Sequence, residues 1–296
     1  FTGAPPSGTN NIYVVHQAKS VGTIDPPAVE TVAKQFNGGV VFNEDSADLD
    51  FRVESNGNAN AIFVNGGEDT VGIGNSNAHS FADNADNLVV GTGSGHNGIT
   101  ISSDGSSSSS IFFANGTSGT QTKQGQIVYE QNNSTMLLKT ASTTAMSIDG
   151  AGIITKPLQP AFQAYLASDQ AVSATSATVT MNTEAFDANG DFNIGTYTFT
   201  APITGKYILT TGVSNYGAAN SGDYTAVRIV TSNSNYQDIH YEADQSSSRI
   251  GAHQVAVVAD MDTNDTAYIT IFTQNDSSFT VRGTRENTFF SGSLLG

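Results

Sequence analysis

The chain of 296 residues carries 27 acidic against 11 basic side chains, a formal net charge of -16, which argues against nucleic acids and anionic membranes as partners because both are bound through clustered cations. It contains no cysteine, so disulfides and thiolate chemistry are excluded and stability must come from packing or association. A hydrophobic share of 38% supports a core in part of the chain but is lean for the whole length, and we do not expect one compact globule.

Residues 1–40 show few periodic signals, and we interpret them as an N-terminal spacer or collar. The exception is the stretch 28–36, where apolar residues recur at the i, i+3, i+4 and i+7 spacing of a short amphipathic helix. These residues are Val29, Val32, Ala33 and Phe36. A helix of about two turns is marginal by itself. It is interpreted either as a spacer helix or as part of a three-helix collar or attachment point.

From residue 41 to residue 156, short β-favouring runs alternate with Asn, Gly, Ser and Asp. Some of these stretches share one skeleton, in which a small residue and an apolar strand precede Asn-Gly or Asp-Gly, a pair that allows the positive φ of a tight turn. They are 61–66, 110–116 and 145–150, and further strands are predicted at 49–53, 70–74, 87–91, 98–101, 126–129 and 136–138. The pattern indicates an imperfect repeat of hairpins, each about 35 to 50 residues long.

A single hairpin repeat cannot bury its apolar face, and it leaves strand edges free to pair with other chains. Threefold association, in which strands from three chains wrap a shared narrow axis, covers the faces and the edges together. We therefore predict that residues 41–156 form an elongated, trimeric, β-rich shaft.

Pro157 and Pro160 mark a change of texture, and we place the boundary between shaft and head at Lys156-Pro157. From residue 157 to residue 296 strands recur about every 8 to 12 residues with turn signals between them, and helical periodicity is absent. The stretch 186–207 illustrates the pattern, since it alternates strands with Asn-Gly and Pro-x-x-Gly turns. The sequence predicts an all-β protein that ends in a sandwich.

The head also resembles a known family. Phe-Asp-Ala-Asn-Gly at 186–190, followed by Thr-Tyr-Thr-Phe-Thr-Ala-Pro-Ile-Thr-Gly-Lys-Tyr at 196–207, is similar to the trimeric jelly-roll heads shared by the first complement component and tumour necrosis factor, in the branch seen at the tips of bacteriophage fibres. Supporting stretches lie at 160–165, 229–236, 258–268 and 290–295. The resemblance implies that residues 157–296 form a trimeric jelly-roll knob.

Stretches of the shaft resemble bacteriophage fibre shafts more loosely. They are 43–53, 87–95 and 111–119. Together the two resemblances imply a homotrimeric tail fibre of a virion, extracellular when mature. Its knob is expected to bind a host cell-surface glycan or outer-membrane protein, and its N-terminal side to contact other virion tail proteins. Alternatives left open are a cellular adhesin or matrix-type protein, and a head fibre or decoration protein without a receptor role.

The histidines occur singly in the sequence, without His-x-x-His spacing or a cysteine partner, so we predict no transition-metal site. They are His16, His79, His96, His240 and His253. The stretch Asp187 to Asp191 superficially resembles a calcium loop, but Thr198 stands where such a loop needs a bidentate Glu, and a turn is the better interpretation. Asp260, Asp262 and Asp265 form a second acidic turn. No metal or other cofactor is predicted.

Paired carboxylates for sugar hydrolysis need two acids across a cleft, usually with large aromatic platforms. The candidate pairs are Glu184 with Asp187 and Glu242 with Asp244. The chain has no tryptophan, and alternating exposed acids on strands are commoner than catalysts. We therefore predict no catalytic residues and no enzymatic activity.

Receptor recognition is the function that these exclusions leave. A receptor-binding tip multiplies weak contacts by valency, and sugars are typically met by Tyr, Asn, Asp and Ser side chains on loops. The candidate receptor contacts on predicted loops of the head are Tyr216, Tyr224, Tyr236, His240, Tyr241 and Phe279. The alternative is that most of them pack in the sheet or in a trimer interface, as aromatic side chains usually do.

Overall fold

A computed structural model describes residues 42, 48–217, 223–241, 250–276 and 278–295. These residues form β-strands and two short 3₁₀ helices, so the all-β prediction is confirmed for the part described. None of the helices there is long and apolar enough to cross a membrane. The short helix predicted at 28–36 and the rest of the predicted spacer at 1–40 lie outside the described residues.

The chain divides into two compact units, residues 1–100 and 101–296. This division at residue 100 falls inside the predicted shaft. The three-part organisation into 1–40, 41–156 and 157–296 stays a prediction.

The first unit contains a four-stranded sheet and a 3₁₀ helix at Ala78–Ser80. Its strands are β1 (Phe51–Ser55), β2 (Asn58–Asn65), β3 (Thr70–Ile73) and β4 (Leu88–Val90). They pair in chain order, antiparallel except for β3 with β4. The predicted turn after Asn65 is present, because the Asn65 side-chain oxygen accepts the N–H groups of Gly67 and Glu68, both at 3.1 Å. The turn of this hairpin is therefore stabilised by hydrogen bonds from residues next to it in the sequence.

The second unit begins with a five-stranded antiparallel meander and a 3₁₀ helix at Gly119–Lys123. Its strands are β5 (Ser108–Phe113), β6 (Gly125–Glu130), β7 (Thr135–Thr140), β8 (Thr143–Ile148) and β9 (Ile154–Thr155). They pair in chain order. Each shaft strand predicted from the sequence is present except the one at 98–101, which is wrong. Ile99 and Ile101 are exposed there, and β-branched residues alone do not make a strand without a partner ladder.

The rest of the second unit is a sandwich of two sheets. Its strands are β10 (Ala161–Tyr165), β11 (Gln170–Val172), β12 (Ser176–Thr178), β13 (Thr183–Asp187), β14 (Phe192–Asn193), β15 (Thr198–Thr200), β16 (Gly205–Tyr216), β17 (Tyr224–Thr231), β18 (Asn235–Tyr241), β19 (Ile250–Met261), β20 (Thr266–Thr273), β21 (Phe279–Val281) and β22 (Phe289–Leu294). The seven-stranded sheet has the order β11-β21-β16-β22-β10-β13, with β19 on β16. The six-stranded sheet has the order β14-β15-β20-β17-β18, with β12 on β20. The first strand, β10, thus lies beside the last, β22.

The core of the sandwich is a set of aromatic and aliphatic side chains between the sheets. Phe162 stacks on Phe199 with ring centroids 4.7 Å apart and meets Phe290 edge-on at 5.0 Å. In β20, the alternate residues Ala267, Ile269 and Ile271 are fully buried, the period of two that a half-buried strand requires. Each sheet therefore turns one face toward the core and the other outward.

The turn predicted at Asp187 is confirmed. Its carboxylate accepts the N–H of Gly190 at 3.0 Å through one oxygen and the N–H of Phe192 at 2.8 Å through the other. Gly190 has φ +76°, a conformation that glycine adopts without strain. Both carboxylate oxygens are therefore engaged in closing the β13–β14 turn.

Candidate functional surfaces

The outward face of the seven-stranded sheet carries adjacent cross-strand rows of uncharged side chains. One row consists of Val258, Ile208, Ser293 and Ala161. The next consists of Ala256, Thr210, Ser291, Gln163 and Phe186, and a third of Gln254, Gly212, Phe289, Tyr165 and Thr183. Charged side chains border the rows at two places: Lys206 pairs with Asp260 at 2.8 Å beyond Ile208, and Arg285 donates its Nε–H to Gln163 at 2.7 Å. We call the three rows the neutral face.

Two features make the neutral face suitable for contact with another protein. Val258 and Phe186 are more than half exposed although both are large and apolar. Between them, the hydroxyls of Thr210 and Ser291 hydrogen-bond to each other at 2.7 Å, so they do not require a partner outside the sheet. A surface of this kind loses little on desolvation.

The five-stranded meander carries an apolar row of its own. Cross-strand pairing aligns Ile111 with Ile127, Ile127 with Leu138, and Leu138 with Met146. Ile111, Ile127 and Leu138 remain exposed in the chain by itself. We call these four residues the hairpin row.

The predicted receptor contacts do not lie on loops, and in this respect the prediction is wrong. Tyr216 ends β16 and Tyr224 begins β17, while Tyr236, His240 and Tyr241 belong to β18. The long strands continue further than the turn signals indicate, because each residue pairs across the ladder: Tyr224, for example, lies opposite Tyr241. Their role as receptor contacts stays a prediction.

The structure brings only two of these side chains together at the surface. The rings of Tyr224 and Tyr241 lie 5.8 Å apart, and Tyr241 is 74% exposed. Tyr216 is separate and donates its hydroxyl to Asp169 at 3.2 Å. Tyr236 packs against the core, and Phe279 begins β21 with its side chain buried. Tyr236 and Phe279 therefore pack in the sandwich, as the alternative interpretation expected.

His240 has a neighbour that the sequence analysis did not anticipate. Its ring stacks on that of His253 with centroids 4.4 Å apart, and the carboxylate of Asp238 lies beside both. These two histidines are separate in the sequence but adjacent in the fold. The sequence feature that could have predicted the burial of His253 is the alternation in β19. Val255, Ala259 and Met261 face inward, and His253 lies on the same side of the strand.

The environment of His253 is apolar as well as crowded. Burial, together with the neighbouring His240, lowers the pKa of the His253 imidazole to about 4, against the opposing effect of the Asp238 carboxylate. The ring is therefore neutral at neutral pH.

Comparison with known proteins identifies the fold of the sandwich. Residues 161–295 match the model of the C1q domain family. The predicted jelly-roll head of the complement-head and TNF-like kind is thereby confirmed for this region. C1q/TNF-like domains are typically non-enzymatic binding modules that form homotrimers. No curated protein matches the chain.

Solved structures similar to the chain include the globular domain of zebrafish complement 1qA protein, at 21% identity over 47% of this chain and 98% of that one, with a TM-score of 0.35. Eiger TNF from S. frugiperda is 9% identical over 47% of this chain and 94% of its own, with a TM-score of 0.36. Murine APRIL is 12% identical over 46% of this chain and 99% of its own, with a TM-score of 0.35.

Proposed function

We propose that the chain is a homotrimeric fibre protein of a tailed bacteriophage, and that its C-terminal head attaches the virion to the host surface. The observation that carries the proposal is the neutral face, which no other part of the described chain covers. The three rows carry no acidic or basic side chain of their own, although Arg285 donates to Gln163 in the second row at 2.7 Å. Association of copies accounts for an uncharged area of this kind in so acidic a protein.

Electrostatics favours self-association through this face. Each chain has a formal net charge of -16, so copies repel one another wherever acidic surfaces meet. On the neutral face, Ile208 and Val258 can instead meet the same residues of another copy and leave water without stranding a charge. The Lys206–Asp260 pair at its border stays solvated.

Three copies, rather than two, are supported by the family match and by the hairpin row. C1q/TNF-like domains form homotrimers. The hairpin row leaves Ile127 and Leu138 exposed on a single-layer sheet, which cannot bury them by itself. A common threefold axis covers the sheet in the shaft and the neutral face in the head with the same set of neighbours.

Attachment to a host is the part of the proposal that rests on resemblance and valency. The shaft stretches 43–53, 87–95 and 111–119 resemble phage fibres, and the head carries the Tyr224–Tyr241 pair, in which Tyr241 is exposed. A trimer presents this pair three times, so weak contacts with a glycan or an outer-membrane protein add up to firm adhesion. The N-terminal side is then directed to other tail proteins of the virion.

The first test is the mass and shape of the purified chain in solution. We expect a mass near three times 30.8 kDa by light scattering and, by negative-stain imaging, a thin rod ending in a lobed knob. A monomer at micromolar concentration would contradict the trimer.

The second test addresses attachment. Purified trimer should compete with phage particles for adsorption to host cells, and an antibody against residues 157–296 should label the tail fibres. Labelling of the capsid would favour a head fibre or decoration protein. Labelling of a cell envelope in the absence of phage would favour an adhesin, and either result would overturn the tail-fibre assignment.

A further inference from the structure

We propose that Asp238, His240 and His253 form a binding site for a divalent transition-metal ion of the zinc class. Asp238 and His240 are two residues apart on β18 and therefore share its inward face. His253 lies on the inward face of β19, opposite the buried Val213 of β16. Since β18 belongs to the six-stranded sheet and β19 to the seven-stranded sheet, the site lies between the two sheets.

The distances between the three side chains are those of ligands that share one metal ion. The Asp238 Oδ2 atom lies 3.2 Å from His240 Nε2 and 3.4 Å from His253 Nδ1. Two ligand atoms at zinc-bond lengths in a tetrahedral site are about 3.3 Å apart. One ligand atom from each of the three residues can be chosen so that all lie within 4.8 Å of one another. A small movement of the side chains is enough to close the site around one ion.

The ring of His253 is buried without a hydrogen-bond partner in the described part of the chain. Its side chain has no exposed surface, and neither of its ring nitrogens has a hydrogen-bond partner among the described residues. A buried polar atom without a partner costs free energy, and such atoms are few in native proteins. A metal bound to Nδ1 supplies the partner that this nitrogen lacks.

The set of donor atoms selects the class of metal. Two imidazole nitrogens and one carboxylate oxygen suit zinc and its neighbours in the first transition row, whereas calcium and magnesium prefer oxygen ligands throughout. His240 is 49% exposed and Asp238 28%, so the site is open to solvent on the β18 side. Water can therefore complete a tetrahedral shell.

The carboxylate is already held in place. Asp238 Oδ2 accepts the backbone N–H of Gln254 in β19 at 3.2 Å, a contact that ties the two edge strands together. A metal ion bound here would add a second tie between the sheets, so we expect binding to stabilise the sandwich.

Titration of the full chain with ZnCl₂ after removal of metals with EDTA tests the proposal. We expect one Zn²⁺ per chain by calorimetry, a rise in the midpoint of thermal unfolding, and little response to CaCl₂. Because loss of an outer-shell partner already costs about 10- to 100-fold in affinity, His240→Ala should weaken binding by at least about 100-fold. His240 is half exposed, and its replacement should leave the fold intact.

Matched variants separate this site from adventitious binding. His79→Ala and His96→Ala remove exposed imidazoles elsewhere and should bind Zn²⁺ as the parent chain does. Asp238→Asn keeps the shape of the side chain but removes its charge and should weaken binding. Co²⁺ in place of Zn²⁺ should give the strong visible absorption of a tetrahedral site. No binding by the parent chain, or equal binding by His240→Ala and His79→Ala, would overturn the proposal.

Discussion

Ile208 in β16 lies directly opposite Val258 in β19, and both side chains are exposed on the outward face of the seven-stranded sheet. The pair stands at the charged border of the neutral face, next to Lys206 and Asp260. The pair is apolar and lies on a surface that the described chain does not bury, whereas its neighbours Lys206 and Asp260 are charged. Such a change from apolar to charged side chains is expected at the edge of a contact between copies.

Ile208→Asp is predicted to abolish the trimer without unfolding the sandwich. The new carboxylate would lie in the proposed contact between copies, where it adds to the repulsion between acidic chains and where burial of an unpaired charge is costly. Ile239→Asp is the matched control, since Ile239 is 38% exposed against 37% for Ile208 and lies on the six-stranded sheet. Sedimentation analysis should give a monomer for Ile208→Asp and a trimer for Ile239→Asp. A trimer in both would rule out this face.

Gly283→Ala is predicted to destabilise the sandwich. A methyl group at this position would overlap the backbone carbonyl carbon of Ser168, and backbone cannot move aside as the end of a side chain can. Overpacking of this kind costs about 1 to 3 kcal/mol of unfolding free energy. Gly105→Ala is the control, because an added methyl there meets nothing within 4 Å. Denaturant unfolding of both variants measures the difference, and equal stability would contradict the close approach.

Asp191→Asn is predicted to stabilise the head at neutral pH. Burial, followed by repulsion from Asp187, raises the pKa of the Asp191 carboxyl above its usual value of 3.8. A raised pKa means that the folded chain holds the proton more tightly than the unfolded chain, so stability is lost as the pH rises through this range. The gain from Asn should therefore be present at pH 7 and shrink as the pH falls toward 3.8.

Asp104→Asn is the comparison of opposite sign for this experiment. Hydrogen bonds from Ser107 and Ser106 lower the pKa of Asp104, so its charged form stabilises the folded chain above the unfolded pKa. Thermal unfolding between pH 3 and pH 8 should show, at neutral pH, a gain in stability for Asp191→Asn and a loss for Asp104→Asn. A loss at neutral pH in Asp191→Asn would show that its unpartnered buried oxygen is tolerated better than an amide.

Tyr241→Ala is predicted to reduce adsorption to host cells while leaving the trimer intact. Its ring is largely exposed beside Tyr224, where a flat aromatic surface can meet the apolar side of a sugar. Tyr268→Ala, in β20 near the other end of the ladder, is the control. Adsorption should be weakened more than the single-site loss implies, because three sites act together. Unchanged adsorption by Tyr241→Ala, or by a fibre without its head, would contradict the proposed contact.

The features that the sequence predicts correctly are those determined by residues close together along the chain. The Asn65 turn is determined within a few residues by side-chain oxygens and backbone N–H groups. The Asp187 turn is determined in the same way. Strand alternation then predicted a sandwich, and the residues at 186–207 predicted its jelly-roll kind. The strand predicted at 98–101 is wrong because a run of β-branched residues forms a strand only beside a partner strand, which the local sequence does not provide.

What only the tertiary structure decided is which distant residues meet. Asp238 and His253 are fifteen positions apart in sequence and belong to different sheets, so no spacing rule brings their side chains to 3.4 Å. The neutral face likewise exists only because β16 pairs with both β19 and β22, which aligns Ile208 with Val258 and Ser293. The sequence by itself determined the strands, the turns and the acidity of the chain, because these depend on neighbours along the backbone. Register between strands is set by packing over the whole core, and with it the sites that combine residues from both sheets.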